Sequence, residues 1–455
     1  GPAKIFIKKN IFDRSDNDPR LYGVSSNHEG GITTINKAVF TSCSKGDECP
    51  PWKLEANTIT HDKNKKQIIY DSSILKVYDV PVFYFPKFFH PDPTVERQSG
   101  FLTPKLNNSN ILGSSIGVPY FHVISENKDY TFSPTIFSKN TQILQNEYRQ
   151  ENEHSSFIID FGYTRGFNSE ETNKNKNINH LFAEFKKDFN LNNFIRSDFK
   201  IFLERTNKDT FLKIFANSLS DSDVKPKNND ILKSGVDLSF ENNNYNIDGG
   251  IDIYEDLTKL KNDRYQFILP YYNFSNDPIY TDFGKLNISS IGNNILDNTN
   301  NVKARIINDL SFNFNDKIFE KVGLKNNFNL YFKNLNSVGK NVDTYKSSPQ
   351  IELNSLFELS SELPLIKYSE TFDQTLVPRL SLRINPSDMK NHSDDKRKIN
   401  TNNIFNINRI GINDSFEAGN SLTLGFDYRR DNKNETNDYL EVKLASVFRD
   451  KEESN

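Results

Sequence analysis

Residues 81–104 read Pro81-Val82-Phe83-Tyr84-Phe85-Pro86-Lys87-Phe88-Phe89-His90-Pro91-Asp92-Pro93-Thr94-Val95-Glu96-Arg97-Gln98-Ser99-Gly100-Phe101-Leu102-Thr103-Pro104. They separate short, mixed β segments upstream from some 350 residues of alternating strands and polar loops downstream. Pro81, Pro86, Pro91 and Pro93 fall within thirteen residues. Each fixes φ and removes a backbone donor, so the stretch is expected to lie outside any regular ladder. The reading is a stiff, aromatic-rich joint, with Arg97 and Gly100 at its far side, between two β structures.

Downstream of Gly100 the side chains alternate with period two. Leu232, Val236, Leu238 and Phe240 share one face, and Lys233, Asp237, Ser239 and Glu241 the other. Leu422, Leu424, Phe426 and Tyr428 alternate with Ser421, Thr423, Asp427 and Arg429. Tyr245-Ile247-Ile251-Ile253, Phe199-Ile201-Leu203 and Phe328-Leu330-Phe332 repeat the pattern. With flanks, each segment is about 9 to 13 residues, the length at which a tilted strand crosses the hydrocarbon layer. Loops rich in Asn, Asp, Lys and Ser, such as 169–179, separate them. Upstream, Ile32–Phe40, Trp52–Thr60 and Gln67–Tyr70 are short strands spaced as in a jelly roll or sandwich.

Composition agrees. Of 455 residues only 35% are hydrophobic, yet there are 37 Phe and 19 Tyr against one Trp and one Met. Mean hydropathy is -0.68. Disordered chains are poor in aromatics, whereas a barrel with a polar inside, wet loops and one apolar outer band has this balance. A soluble sandwich would want a more apolar inner face, and no fixed repeat suggests a solenoid. The net charge of -3 excludes a nucleic-acid partner of the usual basic kind. No apolar run is long enough for a transmembrane helix, so any membrane role must run through strands. The chain starts Gly1-Pro2 with no initiator Met and no secretory h-region, and a signal is expected upstream.

Cys43 and Cys49 flank a turn-prone Lys45-Gly46-Asp47 and can close a local disulfide loop. A metal there would need more ligands, and no histidine stands at zinc-like spacing nearby. No nucleophile elbow, phosphate loop or metalloprotease motif occurs. Gln98-Ser99-Gly100 lacks a base in sequence, and His61-Asp62 reads as a turn pair. Asp237, Glu241, Asp248 and Asp252 read as a solvated wall. Neither a cofactor nor a catalytic residue is expected.

A denser signal runs through Trp52-x-Leu54-x-Ala56, His61-Asp62, Val80–Pro86, Pro91-x-Pro93, Arg97–Leu102 with Pro104, Pro119-Tyr120-Phe121, Asp129–Pro134 and Glu147-Tyr148-Arg149. It resembles the LptD family of lipopolysaccharide-assembly outer-membrane proteins, also called organic solvent tolerance proteins. A fainter echo lies in Asn403-Ile404-Phe405-x-x-Asn408-Arg409-x-Gly411 and Glu417-x-Gly419.

The resemblance implies an all-β chain truncated at both ends. Residues 1–86 would be the last part of a periplasmic β-jelly roll, residues 87–100 the joint, and residues 101–455 about the first two thirds of a transmembrane antiparallel β-barrel, roughly 16 to 18 strands. It also implies lipopolysaccharide as cargo, a plug lipoprotein inside the barrel, a periplasmic bridge protein, outer-membrane lipids around it, and a lateral gate at Pro104 and Pro119. Cys43 matches a family cysteine that in some members bonds far downstream; a local bond to Cys49 and a long-range pair both stay open. A general porin or receptor channel would share the strand pattern without needing the joint, and a barrel-type hydrolase would show a compact Ser/His pair on neighbouring strands.

Overall fold

The computed structural model describes residues 3–6, 20–41, 52–92, 97–167, 177–219, 222–261, 263–298, 300–392, 397–434 and 438–451. Cys43, Cys49 and Pro93 lie outside them. The chain divides into two compact units, Gly1–Tyr148 and Arg149–Asn455. Every pairing is antiparallel, and the fold is all-β: a jelly-roll-type sheet followed by a barrel-like one.

In the first unit, β1 (Ala3–Phe6), β2 (Arg20–Gly23), β3 (Ser25–Glu29), β4 (Ile32–Thr41), β5 (Trp52–Asp62), β6 (Gln67–Val77) and β7 (Val80–Pro91) make one sheet. Its order is β1-β2-β4-β5-β6-β7, with β3 on β4. Alternation in β4 to β6 puts Ile35, Ala38, Leu54, Ala56, Ile59, Ile68 and Tyr70 on one buried face, where Phe85 and Phe88 join them. The ladder is creased along one row. Positions 37, 57, 72 and 86 stand opposite one another across β4 to β7 and none of them pairs. Lys37 and Ser72 are there in left-handed backbone, and Pro86 has no N–H to give.

This corrects the expectation that the prolines exclude a ladder. Pro81, Pro86 and Pro91 all lie in β7, which continues five residues past the boundary expected at residue 86. The reason is position: β7 is an edge strand, Pro86 falls on the crease, and Pro81 adjoins a register shift between Leu75 and Lys76.

Then follow β8 (Gly100–Phe101), β9 (Lys105–Ser109), β10 (Gly113–Gly117), β11 (Tyr120–Ser125), β12 (Lys128–Phe137) and β13 (Gln142–Asn152). The second unit is a meander: β14 (Ser155–Arg165), β15 (Ile178–Asp188), β16 (Arg196–Thr206), β17 (Ile231–Glu241), β18 (Tyr245–Asp256), β19 (Tyr265–Asn276), β20 (Ile279–Thr281), β21 (Gly284–Asp297), β22 (Asn301–Phe314) and β23 (Lys317–Phe319). It continues through β24 (Leu324–Lys340), β25 (Gln350–Glu362), β26 (Leu365–Tyr368), β27 (Phe372–Asn385), β28 (Gly419–Asn432) and β29 (Tyr439–Arg449).

Five of the 22 elements from β8 onward extend the strand before them across a break of two or three residues. Counted so, the described residues make 17 strands, within the expected 16 to 18.

The second unit's sheet is inverted relative to a water-soluble one. On its strands the polar face is buried: Thr423 is 0% exposed, Ser381 1% and Arg383 2%. The apolar face is open, with Leu444 at 58% and Leu424 and Ile251 at 41%. Burying the polar set and exposing the apolar one is favourable only if hydrocarbon, not water, covers the outside. Phe189, Phe194, Phe240, Tyr245 and Phe274 collect near the short connections 189–195 and 242–244, with ring centroids 5.6 to 6.4 Å apart. They form an aromatic girdle of the kind found at a membrane interface. Longer connections, 207–230 and 386–418, leave from the opposite end.

Candidate functional site

Two places in the fold depart from a regular ladder in ways that bear on function. The first is the pair of strands after the joint. β8 pairs β11 and β9 pairs β10, so each of the two strands is one strand interrupted, at residues 102–104 and 118–119. Pro104 and Pro119 occupy the interruptions. Phe101 faces Tyr120 on one side of the break and Lys105 faces Gly117 on the other, so the halves are out of register by one residue. Across the gap Leu102 N–H still donates to the Pro119 carbonyl at 2.8 Å, and Val118 N–H to that of Pro134 at 3.3 Å. Phe101, Leu102, Leu106 and Ile116 stand exposed around it. Parting these strands breaks fewer hydrogen bonds than parting an unbroken pair.

The far side of the joint is pinned. Arg97 Nη1 donates to the Glu126 carbonyl at 2.6 Å, and Arg97 Nη2 pairs with Asp129. Ser99 Oγ accepts the Val123 N–H at 2.9 Å, and Gly100 pairs with Phe121. Arg97 and Gly100 thus hold the entry of β8 onto the β11–β12 hairpin. At the near side His61 pairs with Asp92, not with Asp62, which instead accepts the N–H groups of Asn64 and Lys65 at 3.0 Å as a turn cap.

Folding does bring a histidine to Ser99: His122 Nδ1 lies 3.4 Å from its Oγ. That oxygen already accepts the Val123 N–H, and among the described residues no carboxylate is hydrogen-bonded to His122. Among the described residues the pair does not make a nucleophilic triad.

The second place is the polar face of the second unit. Asp237, Asp248 and Asp252 are bonded into the wall, which corrects the solvated reading. The Tyr271 hydroxyl donates to Asp237 at 2.6 Å, Ser239 Oγ to Asp248 at 2.6 Å, and Lys233 Nζ lies 3.0 Å from Asp252.

Two connections fold onto this face. In 207–230 a short helix, Phe211–Phe215, buries Phe211, Leu212 and Phe215, and packs Phe211 5.0 Å from His180. In 386–418 Arg409 is completely buried. Its Nε and Nη2 donate to the two oxygens of Glu417 at 2.6 and 2.7 Å, Nη1 to Thr423 at 2.7 Å and Nη2 to Ser421 at 2.9 Å. Lys333 reaches the Asn413 carbonyl at 3.1 Å, and Arg383 that of Phe405 at 2.8 Å. Burial lifts the Asp414 carboxyl above the usual range. The faint motif with Arg409, Gly411, Glu417 and Gly419 is therefore the frame of this connection. Gly411 and Gly419 both adopt left-handed backbone, and a Cβ on Gly419 would fall 2.2 Å from Asp450 Oδ1.

No family model matches the chain. Individual relatives do. The chain is 34% identical over 119 residues to the LPS-assembly protein LptD of Polaromonas sp. strain JS666, a match covering 26% of this chain and 14% of that protein. It is 33% identical over 127 residues to the LptD of Ectopseudomonas mendocina, 28% of this chain and 13% of the relative. It is 30% identical over 162 residues to that of Albidiferax ferrireducens, 33% of this chain and 20% of the relative.

Over these stretches the chain is similar to LptD proteins. The matched part is at most a fifth of the length of these LptD relatives. Of the family's expected features, the first-strand prolines lie at strand breaks, whereas the cysteines fall outside the described residues. Sequence reading gave the Arg409 motif no role, because its partners on β28 become neighbours only when the connection turns inward.

Proposed function

We propose that this chain is part of an outer-membrane machine that delivers lipopolysaccharide to the outer leaflet, with the first sheet in the periplasm. An amphipath with a large sugar portion needs two environments at once. Its sugars require a hydrated, polar enclosure and its acyl chains must never be left in water. The polar inner face of the second unit suits the first need. The apolar face of the β1–β7 sheet, with Phe83 60% exposed beyond its core, suits the second. A sideways exit would connect them.

The observation that carries the reading is the coincidence of Pro104 and Pro119 at register-slipped breaks in two neighbouring strands. The breaks would weaken the seam between the first and last barrel strands, the lateral gate through which the acyl chains would leave while the sugars stay inside. A plug lipoprotein would fill the lumen, and a periplasmic bridge protein would feed the first sheet. The reading includes no catalytic step.

The test is a crosslink in the intact protein, in cells, between cysteines placed on the strand of Pro104 or Pro119 and on the barrel's last strand. Lipopolysaccharide reaching the cell surface should fall at least tenfold and recover on reduction. Unimpaired delivery with the crosslink formed would refute the gate. A general porin would instead conduct small solutes through an open lumen. The two connections folded onto the polar face speak against it, and single-channel conductance of the whole chain in a planar bilayer would detect it.

A further inference from the structure

On the apolar, outward face of the second unit a line of polar side chains crosses four strands. Asn308 shares its face of β22 with Ile306 and Leu310, and Asn334 shares its face of β24 with Phe332, which is 48% exposed. The Tyr272 hydroxyl and Ser290 Oγ are 3.0 Å apart. Ser290 Oγ donates to Asn308 Oδ1 at 2.6 Å, Asn308 Nδ2 to Asn334 Oδ1 at 2.9 Å, and Asn334 Nδ2 to the Glu352 carbonyl at 3.2 Å. Asn336 Nδ2 adds a bond to Asn334 Oδ1 at 2.6 Å.

Polar groups on a hydrocarbon-facing wall are costly unless their hydrogen bonds are complete. Each carboxamide carries two N–H groups, and the chain of bonds uses one from each of Asn308, Asn334 and Asn336. Beside them opens a groove of about 400 Å³ whose walls include Ile288, Leu310, Phe332 and Leu353. Asp309 and Lys333, which also border the groove, alternate onto the opposite face and pair with each other at 2.5 Å, so the outward-facing line is neutral and does not suit a phosphate.

We propose that this groove is a fixed lipid site on the outer wall, taking an acyl chain along its apolar sides and the neutral ester, amide or hydroxyl group at that chain's head on Asn308 and Asn334. The inference rests on the second unit spanning a membrane. The site is on the wall of β21 to β25 and is separate in sequence from the proline breaks.

The whole chain, refolded in detergent and stripped of lipid, is titrated with dioleoylphosphatidylethanolamine and followed by native mass spectrometry. One saturable adduct is expected. Its occupancy should drop at least fivefold in Asn308→Leu/Asn334→Leu and for the ether-linked lipid, which lacks the ester carbonyls, and should stay unchanged in Leu238→Ala. Equal occupancy in the double variant overturns the site. So does a photo-crosslinker at Leu353 that captures a second copy of the chain instead of lipid. Protease protection in phosphatidylcholine vesicles containing the same lipid is measured in parallel. Failure to insert there would overturn the membrane reading together with the site, whereas insertion with unaltered occupancy overturns the site alone.

Discussion

Arg409 shows how much one buried side chain can decide. It is fully enclosed and its charge is met by Glu417, Thr423 and Ser421. Removing it leaves a carboxylate buried with less compensation, which costs about 3–5 kcal/mol for such a pair. Arg409→Ala should therefore lower the midpoint of denaturant unfolding in micelles and make the 386–418 connection cleavable by protease. Arg409→Lys should recover only part of this, because an ammonium cannot bridge both carboxylate oxygens. Nearby Asp414 gives a pH signature. Burial raises its carboxyl, so the folded form holds the proton to higher pH than the unfolded form, whose value is near 3.8. Its contribution is most stabilising below that value and is lost as pH rises through the folded-state value. Protease resistance of the connection should thus decline with rising pH over that window, and Asp414→Asn should abolish this component. If the slope persists unchanged in the variant, another group is responsible.

Among elements, the strands with prolines carry the sharper lesson. Counting prolines gave a joint outside any ladder over residues 81–93, and the structure instead runs β7 through three of them. The count was legible, but its consequence depended on whether the strand had neighbours on both sides. An edge strand crossing a crease can lack donors at no cost, and edge position is a property of the sheet's order, not of a local window. At Pro104 and Pro119 the same chemistry interrupts two neighbouring strands. Replacing both with Thr restores two donors and should join β8 to β9 and β10 to β11. Hydrogen exchange at residues 102–105 should then slow by about tenfold or more, one net hydrogen bond being worth about 1 kcal/mol or somewhat over. Exchange as fast as in the parent would mean that the break is imposed by its surroundings.

For the whole molecule, the inverted distribution of polarity makes a prediction that a water-soluble sheet would fail. Leu238→Arg on the open apolar face should destabilise the protein in a bilayer by about 2–4 kcal/mol. Asn293→Arg on the polar face should change stability by about 0.5 kcal/mol or less. Folding titrations into vesicles measure both, and equal effects would argue that hydrocarbon does not cover the outer face. The strand class, the strand number and the two-faced alternation were all readable in the sequence, since period-two patterning is a local consequence of the pleat. Pro104 and Pro119, which interrupt two neighbouring strands, were readable too, in a stretch that resembles the LptD family. Alternation alone is symmetric between inside and outside until the sheet curls, so it was composition, poor in hydrophobic residues yet rich in Phe and Tyr, that pointed to a polar inside. The partners of His61, Arg409 and Asn334 were not readable. His61 finds Asp92 31 residues on and Asn334 finds Asn308 26 residues back, while Glu417, only eight residues from Arg409, meets it because the 386–418 connection turns inward, so only the tertiary structure, by fixing register and that inward turn, decided what they hold together.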